Sequence, residues 1–291
     1  MQQDLEIIRA LPVWSGPVSL TMLSGGITNV NYLADDGARR FVVRLGNDIP
    51  VHHIMRFNEL SASRAASAAG ISPAVIYHQP GILVLDYIEG RTLEARDFHD
   101  RQTLERALSV VTSCHADIPK HLHGPALMFW VFHVIRSYAT DLETQESHYA
   151  KLLPELCAAA ETLEITVSPV EIVFGHNDLL AANFIDDGTK VWLIDWDYAG
   201  FNSPLFDLGG LASNNELDET RERWMLDTYF VRAVTDQLLE QYHAMKCASL
   251  LRETMWSMVS EIHSKIDFDY RAYSEDNLAR FRSTFSQYLK S

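Results

Sequence analysis

Short apolar segments alternate with turns in the N-terminal part of the chain. Segments of this length, in which apolar and polar residues alternate, predict strands that bury one face. A longer segment over residues 52–69 has helical spacing and separates two groups of strands. We therefore predict two hairpins, a further strand and one helix, with the strands at residues 18–23, 27–33, 41–45, 75–77 and 82–85.

Beyond residue 88 the pattern changes from strands to helices. Apolar residues recur at intervals of three and four, which is the period of a helix face. Clear examples are Leu104, Leu108, Val111 and Cys114. Toward the C-terminus the same pattern predicts four helices, two within residues 216–251 and one each over 252–265 and 274–289.

Residues 171–207 contain two polar clusters, each at the end of an apolar run. Between the runs, Asp186-Asp187-Gly188 predicts a tight hairpin turn, because an Asp-Gly pair tolerates the positive φ that such turns require. The two strands that this turn would join are residues 184–185 and 191–194. Such a hairpin brings Asn183 back toward Asp195, with Asp178 close by.

The side chains around this hairpin suit phosphoryl transfer. Asp178 can orient a hydroxyl nucleophile, while Asn183 and Asp195 offer the oxygen ligands that Mg²⁺ prefers. The order of His176, Asp178 and Asn183 matches the catalytic loop of protein kinases. Asp195 then stands where their metal-binding aspartate stands, although Trp196-Asp197 replaces Phe-Gly. A polar turn beside a solvated strand end is the alternative interpretation.

Three features of the strand-rich part are candidates for holding nucleotide phosphates. Gly25 and Gly26 would let the backbone approach a phosphate closely, although an ordinary glycine turn is the simpler explanation. Arg44 ends an otherwise apolar strand and offers a bidentate fork for phosphate oxygens, unless it points to solvent at a strand edge. Glu59 on the predicted helix is placed to pair with Arg44, or else it is solvated.

The polar stretch after the last N-terminal strand is predicted to connect two lobes. Main-chain groups of Asp86 and Ile88 in this stretch are candidates for hydrogen bonds to an adenine edge. We place the domain boundary there, with a nucleotide-binding lobe of residues 1–87 and a catalytic and substrate-binding lobe of residues 88–291.

Composition and charge narrow the classes of function. The 291 residues are 47% hydrophobic and 22% charged, as in ordinary globular proteins. The formal net charge of −15 disfavours nucleic acid or an anionic membrane as the main partner and suits a cationic substrate. The 3 widely spaced cysteines predict reduced thiols rather than a disulfide framework or a zinc site. Neither a signal peptide nor a membrane-spanning run is visible, so we expect a cytoplasmic protein.

These motifs together resemble the choline/ethanolamine kinase family, within the wider group of aminoglycoside-phosphotransferase-like kinases. The resemblance extends over nearly the whole chain, and the segments that carry it are Gly25-Gly26-Ile27-Thr28-Asn29, Phe41-Val42-Val43-Arg44, Phe174-Gly175-His176-Asn177-Asp178 with Asn183, and Ile194-Asp195-Trp196-Asp197-Tyr198 with Phe206-Asp207-Leu208-Gly209. It implies an α+β, bilobal protein-kinase-like fold, with a small antiparallel-sheet N-terminal lobe that carries one long helix and a larger, mostly helical C-terminal lobe. It also implies ATP and Mg²⁺ as cofactors.

The C-terminal part of the resemblance concerns the acceptor. Trp256, Tyr273 and the segment 266–270 are similar to the family's closing segment, where Trp and Tyr rings surround a quaternary ammonium. Each aromatic face attracts a desolvated cation by about 1–2 kcal/mol. Core packing in the last helices is the alternative explanation, and it is the favoured one for Phe268 and Tyr270.

Some positions depart from the family pattern. Glu253 stands where the family often has a second tryptophan, and Asp197 replaces the more usual Glu. Gly210-Leu211 and Asn214-Asn215 replace an Asn-His pair and a Glu-Trp pair of eukaryotic members. An incomplete aromatic cage weakens the case for choline itself and leaves ethanolamine, thiamine or another amino alcohol open. Glu253 could pair with the cation by charge, or it could face water.

The predicted function is that of an ATP- and Mg²⁺-dependent kinase that phosphorylates the hydroxyl of a small cationic alcohol, choline or ethanolamine. Asp178 would orient the hydroxyl and accept its proton, His176 would support the loop backbone, and Asn183 would complete the catalytic group. The predicted metal ligands are Asn183, Asp195 and Asp197. The predicted nucleotide contacts are Gly25, Gly26, Thr28, Asn29, Arg44, Glu59, Asp86 and Ile88. The predicted acceptor contacts are Asp178, Tyr198, Glu253, Trp256 and Tyr273.

Two alternatives keep part of this prediction. A kinase for thiamine, a homoserine-like metabolite or an aminoglycoside would share the core and differ only in the C-terminal pocket. A non-catalytic nucleotide-binding module is the alternative from another class, and the presence of Arg44, Asp178, Asn183 and Asp195 argues against it. The expected partner is a small amino alcohol, with no nucleic acid and no membrane, and a homodimer stays open.

Overall fold

The computed structural model describes residues 2–23 and 29–290 of the chain. The elements of the N-terminal part are α1 (Gln2–Arg9), β1 (Ser19–Leu23), β2 (Val30–Asp35), β3 (Arg40–Leu45), α2 (Arg56–Ala68), β4 (Val75–Gln79) and β5 (Ile82–Asp86). The strands form one sheet in the order β1-β2-β3-β5-β4, and every neighbouring pair is antiparallel. The predicted hairpins and the single long helix are therefore present.

The two faces of this sheet have different environments. Alternate residues of β2 and β3 point to one face and are fully buried together with Ile8 of α1; they are Tyr32, Ala34, Phe41 and Val43. Because side chains alternate along a strand, Arg44 lies on the opposite face. The sheet thus buries an apolar layer under α1 and directs an arginine toward the rest of the molecule.

Beyond β5 the chain is mostly helical. Its elements are β6 (Arg91–Thr92), α3 (Arg101–His121), α4 (Val131–Thr144), α5 (Leu153–Thr166), β7 (Val173–Gly175), β8 (Phe184–Asp186), β9 (Val191–Leu193), β10 (Gly200–Asn202), α6 (Pro204–Asn214), α7 (Glu219–Phe230), α8 (Asp236–His263) and α9 (Tyr270–Tyr288). Strands β6, β8 and β9 form one small sheet, and β7 pairs with β10.

Helix α2 belongs to the core of the helical part, although it lies between strands of the N-terminal sheet in sequence. Ala62, Ala65 and Ala66 are buried in the same cluster as Leu104 and Leu108 of α3. Small alanine side chains allow the two helices to approach closely. The first turn of α2, which carries Glu59, is thereby anchored from the helical side.

One helix differs from its predicted extent. The sequence pattern was divided at residue 251, whereas α8 runs without interruption over 28 residues. No glycine or proline occurs between residues 236 and 263, so no residue there disfavours a continuous helix. The segment before Trp256 therefore lies in the middle of a helix, which fixes the spacing of its side chains.

Two predictions concern the chain as a whole. The boundary between residues 87 and 88 stays a prediction, because the strand-rich and helical parts share the packing of α2. Within residues 2–23 and 29–290, no helix combines the length and the apolar character that crossing a bilayer would require.

Candidate active site

The predicted hairpin is present, and it organises the site. Strands β8 and β9 pair over three residues each, and Gly188 at the turn has a φ of 86°, which a residue with a side chain rarely adopts. At the other end, the N–H of Ile194 donates to the carbonyl oxygen of Asn183 at 3.0 Å. The hairpin therefore brings Asn183 and Asp195 to the same place.

Asn183 links the hairpin to Asp178. Its Nδ2 donates to the backbone oxygen of Asp178 at 2.8 Å and lies 3.4 Å from the Oδ2 of the same residue. Since the amide nitrogen is used in this way, the amide oxygen of Asn183 is the atom available to a metal ion. Asp195 adds a carboxylate that is 33% exposed.

Asn183 and Asp195 suit Mg²⁺ better than a metal ion whose ligands are all protein side chains. In the described part of the chain, no three His, Cys, Asp or Glu side chains form a group that could hold a metal ion. Mg²⁺ is commonly bound by one or two carboxylates, with phosphates and water completing its shell. Asn183 and Asp195 fit that mode of binding.

A buried arginine–carboxylate cluster lies between the sheet and the hairpin; it consists of Arg44, Arg56, Glu59, Asp195 and Asp197. Arg44 contacts Glu59 at 2.9 Å and each of the two aspartates at 2.8 Å. Arg56 contacts Glu59 and Asp197, both at 2.7 Å. The pairing of Arg44 with Glu59, which sequence position alone suggested, is present in the structure.

Within the cluster, Arg44 and Asp195 each favour the charged state of the other. Burial alone would lower the pKa of Arg44, but attraction to Asp195, Asp197 and Glu59 outweighs it and the pKa is raised. Burial alone would raise the pKa of Asp195, but the charge and hydrogen bond of Arg44 outweigh it and the pKa is lowered. Arg44 is therefore a permanent cation, and Asp195 is an ionised carboxylate at neutral pH.

Asp197 and Asn29 are hydrogen-bonded to each other and to the arginines of this cluster. Asp197 is 2% exposed on its side chain, and it accepts hydrogen bonds from Arg56 and, at 2.9 Å, from Asn29. The Oδ1 of Asn29 accepts in turn from Arg56 at 2.6 Å. Because protein donors already engage both oxygens of Asp197, its role as a metal ligand stays a prediction, as does the phosphate contact of Asn29.

Asp207 accepts hydrogen bonds from the start of the predicted catalytic loop, residues 176–183. The sequence did not predict this role. Its carboxylate accepts from the backbone N–H groups of His176 at 2.8 Å and Asn177 at 2.7 Å, and from the ring of His115 at 2.9 Å. Asn177 has a φ of 64°, a conformation that non-glycine residues rarely adopt. The three donors explain how the loop keeps this shape.

His176 is buried and contacts the backbone at the end of β9. Its ring is fully buried against Trp196, and burial lowers the pKa of the imidazole. The Nε2 of His176 lies 2.9 Å from the carbonyl oxygen of Ile194, to which it donates. This contact connects His176 to the end of β9, and the supporting role of His176 stays a prediction.

Four of the predicted acceptor residues lie together: Tyr198, Glu253, Trp256 and Tyr273. The indole N–H of Trp256 donates to the Tyr198 hydroxyl at 2.7 Å. The Tyr273 hydroxyl donates to Glu253 at 2.8 Å, and the rings of Trp256 and Tyr273 meet edge to face at 6.5 Å. The structure thus brings α8, α9 and the segment after β9 into one aromatic group with a carboxylate.

Arg252 occupies the space between this aromatic group and Asp178. Its guanidinium lies 4.4 Å from the centre of the Tyr198 ring, 2.6 Å from Glu253 and 3.8 Å from the Oδ1 of Asp178. Burial, and then repulsion from Glu253 and Asp195, raise the pKa of Asp178 to about 7 against the opposing effect of Arg252. The carboxyl group of Asp178 therefore has a proton affinity in the neutral range, which is the range that general-base catalysis requires.

The predicted nucleotide contacts are only partly described. Gly25, Gly26 and Thr28 lie outside the described residues. The N–H of Asp86 donates to the carbonyl of Ala74 at 2.9 Å and is not free for an adenine. The backbone of Ile88 makes no backbone hydrogen bond to the described residues, so it is the better candidate for that contact.

Three residues of the site were not predicted from the sequence: Arg56, Asp207 and Arg252. Asp207 was noted only as part of a resembling segment, and Arg56 stands three residues before Glu59, a spacing that pairs side chains on a helix. Arg252 stands four residues before Trp256 on α8, which was the available signal for its position beside the aromatic group.

A family model described as choline/ethanolamine kinase matches residues 20–227 of this chain. This chain belongs to the choline/ethanolamine kinase family. The matched range begins within β1, includes the other strands of the sheet, residues 176–183 and the hairpin, and ends before α8 begins. The family makes the protein a phosphotransferase that acts on an alcohol group, and as a kinase family it implies the use of ATP.

Similar proteins support the same assignment. Ethanolamine kinase 2 of Homo sapiens is 28% identical over 316 residues, which cover 97% of this chain and 79% of that protein. The structure of a choline/ethanolamine kinase family protein from Mesorhizobium loti is 27% identical, with a TM-score of 0.78 over 100% of this chain and 98% of that chain. Choline kinase LicA from Streptococcus pneumoniae, at 24% identity, shares the fold with a TM-score of 0.80 over 98% of each chain. The predicted bilobal, protein-kinase-like fold is confirmed.

Proposed function

We propose that this phosphotransferase transfers the γ-phosphoryl group of ATP, with Mg²⁺, to the hydroxyl of a small amino alcohol, the class that includes choline and ethanolamine. The observation that carries the proposal is the position of Asp178. Asn183, a candidate metal ligand, contacts it, and Arg252, which packs against Tyr198 of the aromatic acceptor group, lies 3.8 Å from it. A carboxylate between a phosphate site and an acceptor pocket has the position that a nucleophile-orienting group requires.

Asp178 orients the acceptor hydroxyl and takes its proton as the new O–P bond forms. A pKa of about 7 leaves a substantial ionised fraction at neutral pH while keeping the carboxylate basic. Arg252, 3.8 Å away, limits how far burial raises the pKa. His176 acts as a positioning residue through its contact with the backbone of Ile194.

Asn183 and Asp195 would hold Mg²⁺ on the nucleotide phosphates. The ionised state of Asp195 and the free amide oxygen of Asn183 fit a hard cation. When bound, the ion would neutralise the charge that develops on the transferred phosphoryl group. Asp197 orients Arg44 and Arg56, and a metal contact from it would require the loss of an arginine partner.

The nucleotide would be held by the N-terminal lobe of residues 1–87. Arg44 lies on the face of the sheet that looks toward the hairpin, and its permanent charge suits the phosphates. Residues 25–29 would cover the phosphates, and the backbone of Ile88 would bind the adenine edge. This division makes residues 88–291 the lobe that supplies the catalytic loop and the acceptor site.

The amino group of the acceptor would lie beside Glu253, among the rings of Tyr198, Trp256 and Tyr273. A carboxylate hydrogen-bonded by a tyrosine hydroxyl offers both charge and further acceptor positions to an ammonium group. Thiamine, a homoserine-like metabolite or an aminoglycoside as acceptor would leave the core chemistry unchanged. A non-catalytic module is disfavoured because Arg44, Asp178, Asn183 and Asp195 are all present.

The test is turnover of purified protein with ATP and Mg²⁺ against choline, ethanolamine, thiamine, L-homoserine and an aminoglycoside. We expect phosphorylation of an amino alcohol, and we expect Asp178→Asn to lower kcat by about 10²–10⁴-fold because the hydroxyl loses its base. Nucleotide binding by that variant, measured by calorimetry, should be unchanged. Asp117→Asn on the exposed face of α3 is the matched control. Turnover by Asp178→Asn at the rate of the unaltered protein would refute the assigned role.

A further inference from the structure

Arg252 covers aromatic rings beside the predicted acceptor residues. Its guanidinium carbon lies 4.4 Å from the centre of the Tyr198 ring and 5.6 Å from the centre of the Phe129 ring. Both distances lie within the roughly 6 Å over which an aromatic face attracts a cation. The side chain of Arg252 is 4% exposed, so it belongs to the interior of the protein. The protein therefore supplies a cation of its own to these rings.

The ring of Trp256 is also packed against protein groups. Its centre lies 5.4 Å from the ring centre of His52, 6.1 Å from that of Tyr270 and 6.5 Å from that of Tyr273. Trp256 and Tyr198 are both buried. A quaternary ammonium has no N–H group, so aromatic faces and charge are its main means of recognition. Little of either ring is left for such a group.

Glu253 keeps hydrogen-bonding capacity for a different kind of head group. One of its oxygens accepts from Nη1 of Arg252 at 2.6 Å, and the other accepts from the Tyr273 hydroxyl at 2.8 Å. Each carboxylate oxygen has two lone pairs, so each can accept one further hydrogen bond. A primary ammonium has three N–H donors, whereas a quaternary ammonium has none. The carboxylate therefore favours a primary amine over a trimethylated one.

The positive charge of Arg252 acts on any cationic acceptor. The hydroxyl to be phosphorylated must contact Asp178, and Nη1 of Arg252 lies 3.8 Å from the Oδ1 of that residue. In choline and ethanolamine two carbon atoms separate the nitrogen from the hydroxyl, so the nitrogen would lie within about 10 Å of the guanidinium. Like charges at that separation repel, and burial weakens their screening by salt. Hydrogen bonds to Glu253 offset this repulsion for ethanolamine but not for choline.

We propose that Arg252 is a specificity-determining residue, through which the site selects a primary amino alcohol and rejects a quaternary ammonium alcohol. This inference rests on the proposed kinase function and narrows its acceptor class. Arg252 acts by covering the rings of Tyr198 and Phe129 and by placing a positive charge beside Glu253. The residue lies on α8, outside the range that the family model matches, so membership of the family does not assign this role.

Two comparisons of acceptors measure this selectivity. Choline differs from ethanolamine by its methyl groups, and from 3,3-dimethylbutan-1-ol, which has the same shape, by its charge. In the unaltered protein we expect kcat/KM for ethanolamine to exceed that for choline by about 10- to 100-fold, and choline to be no better than its uncharged analogue. Arg252→Met and Arg252→Gln should raise kcat/KM for choline about tenfold or more relative to each of the other two compounds. Ratios within one variant cancel any loss of turnover that is common to all acceptors.

Arg252→Lys is the conservative variant, because it keeps a cation that an aromatic face attracts. It should retain most of the preference for ethanolamine. Arg136→Met is the matched control, since Arg136 lies on the surface of α4 and pairs with Glu164, and its ratios should equal those of the unaltered protein. If the unaltered protein phosphorylates choline as efficiently as ethanolamine, the inference is wrong while the kinase function stands, and this result requires no variant to fold. Unchanged ratios in both neutral variants would also overturn it.

A binding measurement separates the two proposals when no compound is phosphorylated. Choline, ethanolamine and 3,3-dimethylbutan-1-ol would be titrated by calorimetry into the protein loaded with ADP and Mg²⁺. Tighter binding of choline to Arg252→Met or Arg252→Gln than to the unaltered protein, with the binding of the uncharged analogue unchanged, would support the inference although the kinase proposal fails. If neither variant gains affinity for choline, the inference is overturned.

Discussion

Arg44 and Arg252 are both buried beside carboxylates, one on the nucleotide side of the candidate site and one on the acceptor side. Arg44 contacts three carboxylates within 2.9 Å through its two terminal nitrogens. Arg252 contacts one carboxylate at 2.6 Å and a second only at 3.8 Å. Nε of both arginines, and Nη2 of Arg252, are buried without a hydrogen bond to the described residues. Three carboxylates of the protein surround the first arginine, whereas the second has one close carboxylate partner.

The origin of the partners explains this difference. The carboxylates around Arg44 come from α2 and from the segment after β9, so their ion pairs connect parts that are distant in sequence. The main partner of Arg252 is the next residue on the same helix. We infer that the Arg44 pairs hold the two parts of the molecule together, while the close pair of Arg252 with Glu253 lies within one helix.

The largest effect on stability is expected at Arg44. Arg44→Met leaves Glu59, Asp195 and Asp197 buried with too little positive charge, and loss of one partner from such a pair costs about 3–5 kcal/mol. Arg252→Met should cost less, because Glu253 keeps its hydrogen bond from Tyr273. Urea unfolding of both variants measures the free energy of unfolding, with Arg136→Met as a surface control expected within about 0.5 kcal/mol of the unaltered protein. Equal losses at Arg44 and Arg252 would contradict the comparison.

The pH dependence of activity tests the difference in pKa between Asp195, on the nucleotide side, and Asp178, on the acceptor side. The pKa of Asp195 is lowered beside Arg44, so that group stays ionised from pH 6 to 8, whereas the pKa of Asp178 is raised to about 7. We expect kcat/KM to be about tenfold lower at pH 6 than at pH 8, since only the ionised Asp178 acts as a base. If kcat/KM does not change between pH 6 and pH 8, Asp178 does not act as the base.

The raised pKa of Asp178 also predicts how the stability of the protein depends on pH. The pKa of Asp178 is above the ordinary 3.8 in the folded protein, so the folded state holds a proton that the unfolded chain has released. Stability from this group is therefore lost as the pH rises from about 4 to about 7. Asp178→Asn, which cannot ionise, should unfold with less pH dependence across this range, as followed by urea unfolding at pH 5 and pH 8.

The smallest effect is expected at the aromatic group. Trp256→Phe keeps a ring but removes the indole N–H that donates to Tyr198 at 2.7 Å. A single neutral hydrogen bond contributes about 1 kcal/mol, so we expect the KM for the acceptor to rise about fivefold with kcat little changed. Trp224→Phe on α7 is a control outside the site. A fall in kcat with an unchanged KM would instead assign Trp256 to the chemical step.

Local signals made the central hairpin predictable. The Asp-Gly turn and the apolar runs on each side act over a few residues, and they placed Asn183 next to Asp195 correctly. The antiparallel sheet, the single long N-terminal helix and the mostly helical remainder were also predictable, because the period of apolar residues is two in strands and near 3.6 in helices. The division of α8 into two helices was wrong, since no helix-breaking residue marked a boundary there.

The site residues that the sequence did not predict depend on contacts between parts of the chain that are far apart in sequence. The partners of Asp207 include His115, which is 92 residues away, and Arg56 contacts Asp197 across 141 residues. No periodic pattern reports such pairs, because each depends on how whole elements pack against one another. The spacing of Arg56 and Glu59 on one helix was visible in the sequence, but the contact of Arg56 with Asp197 was not.

The sequence by itself determined the class of fold, the hairpin and the residue types of a phosphoryl-transfer site, because these depend on short-range backbone preferences and on motif spacing. Only the tertiary structure decided which charged side chains pair with each other and which remain able to contact a ligand. Asp178 and Arg252 are far apart in the chain, and their 3.8 Å separation follows from the packing of α8 beside the catalytic loop. That packing sets the electrostatic character of the acceptor site, since the effect of a buried charge depends on the groups within a few ångströms of it.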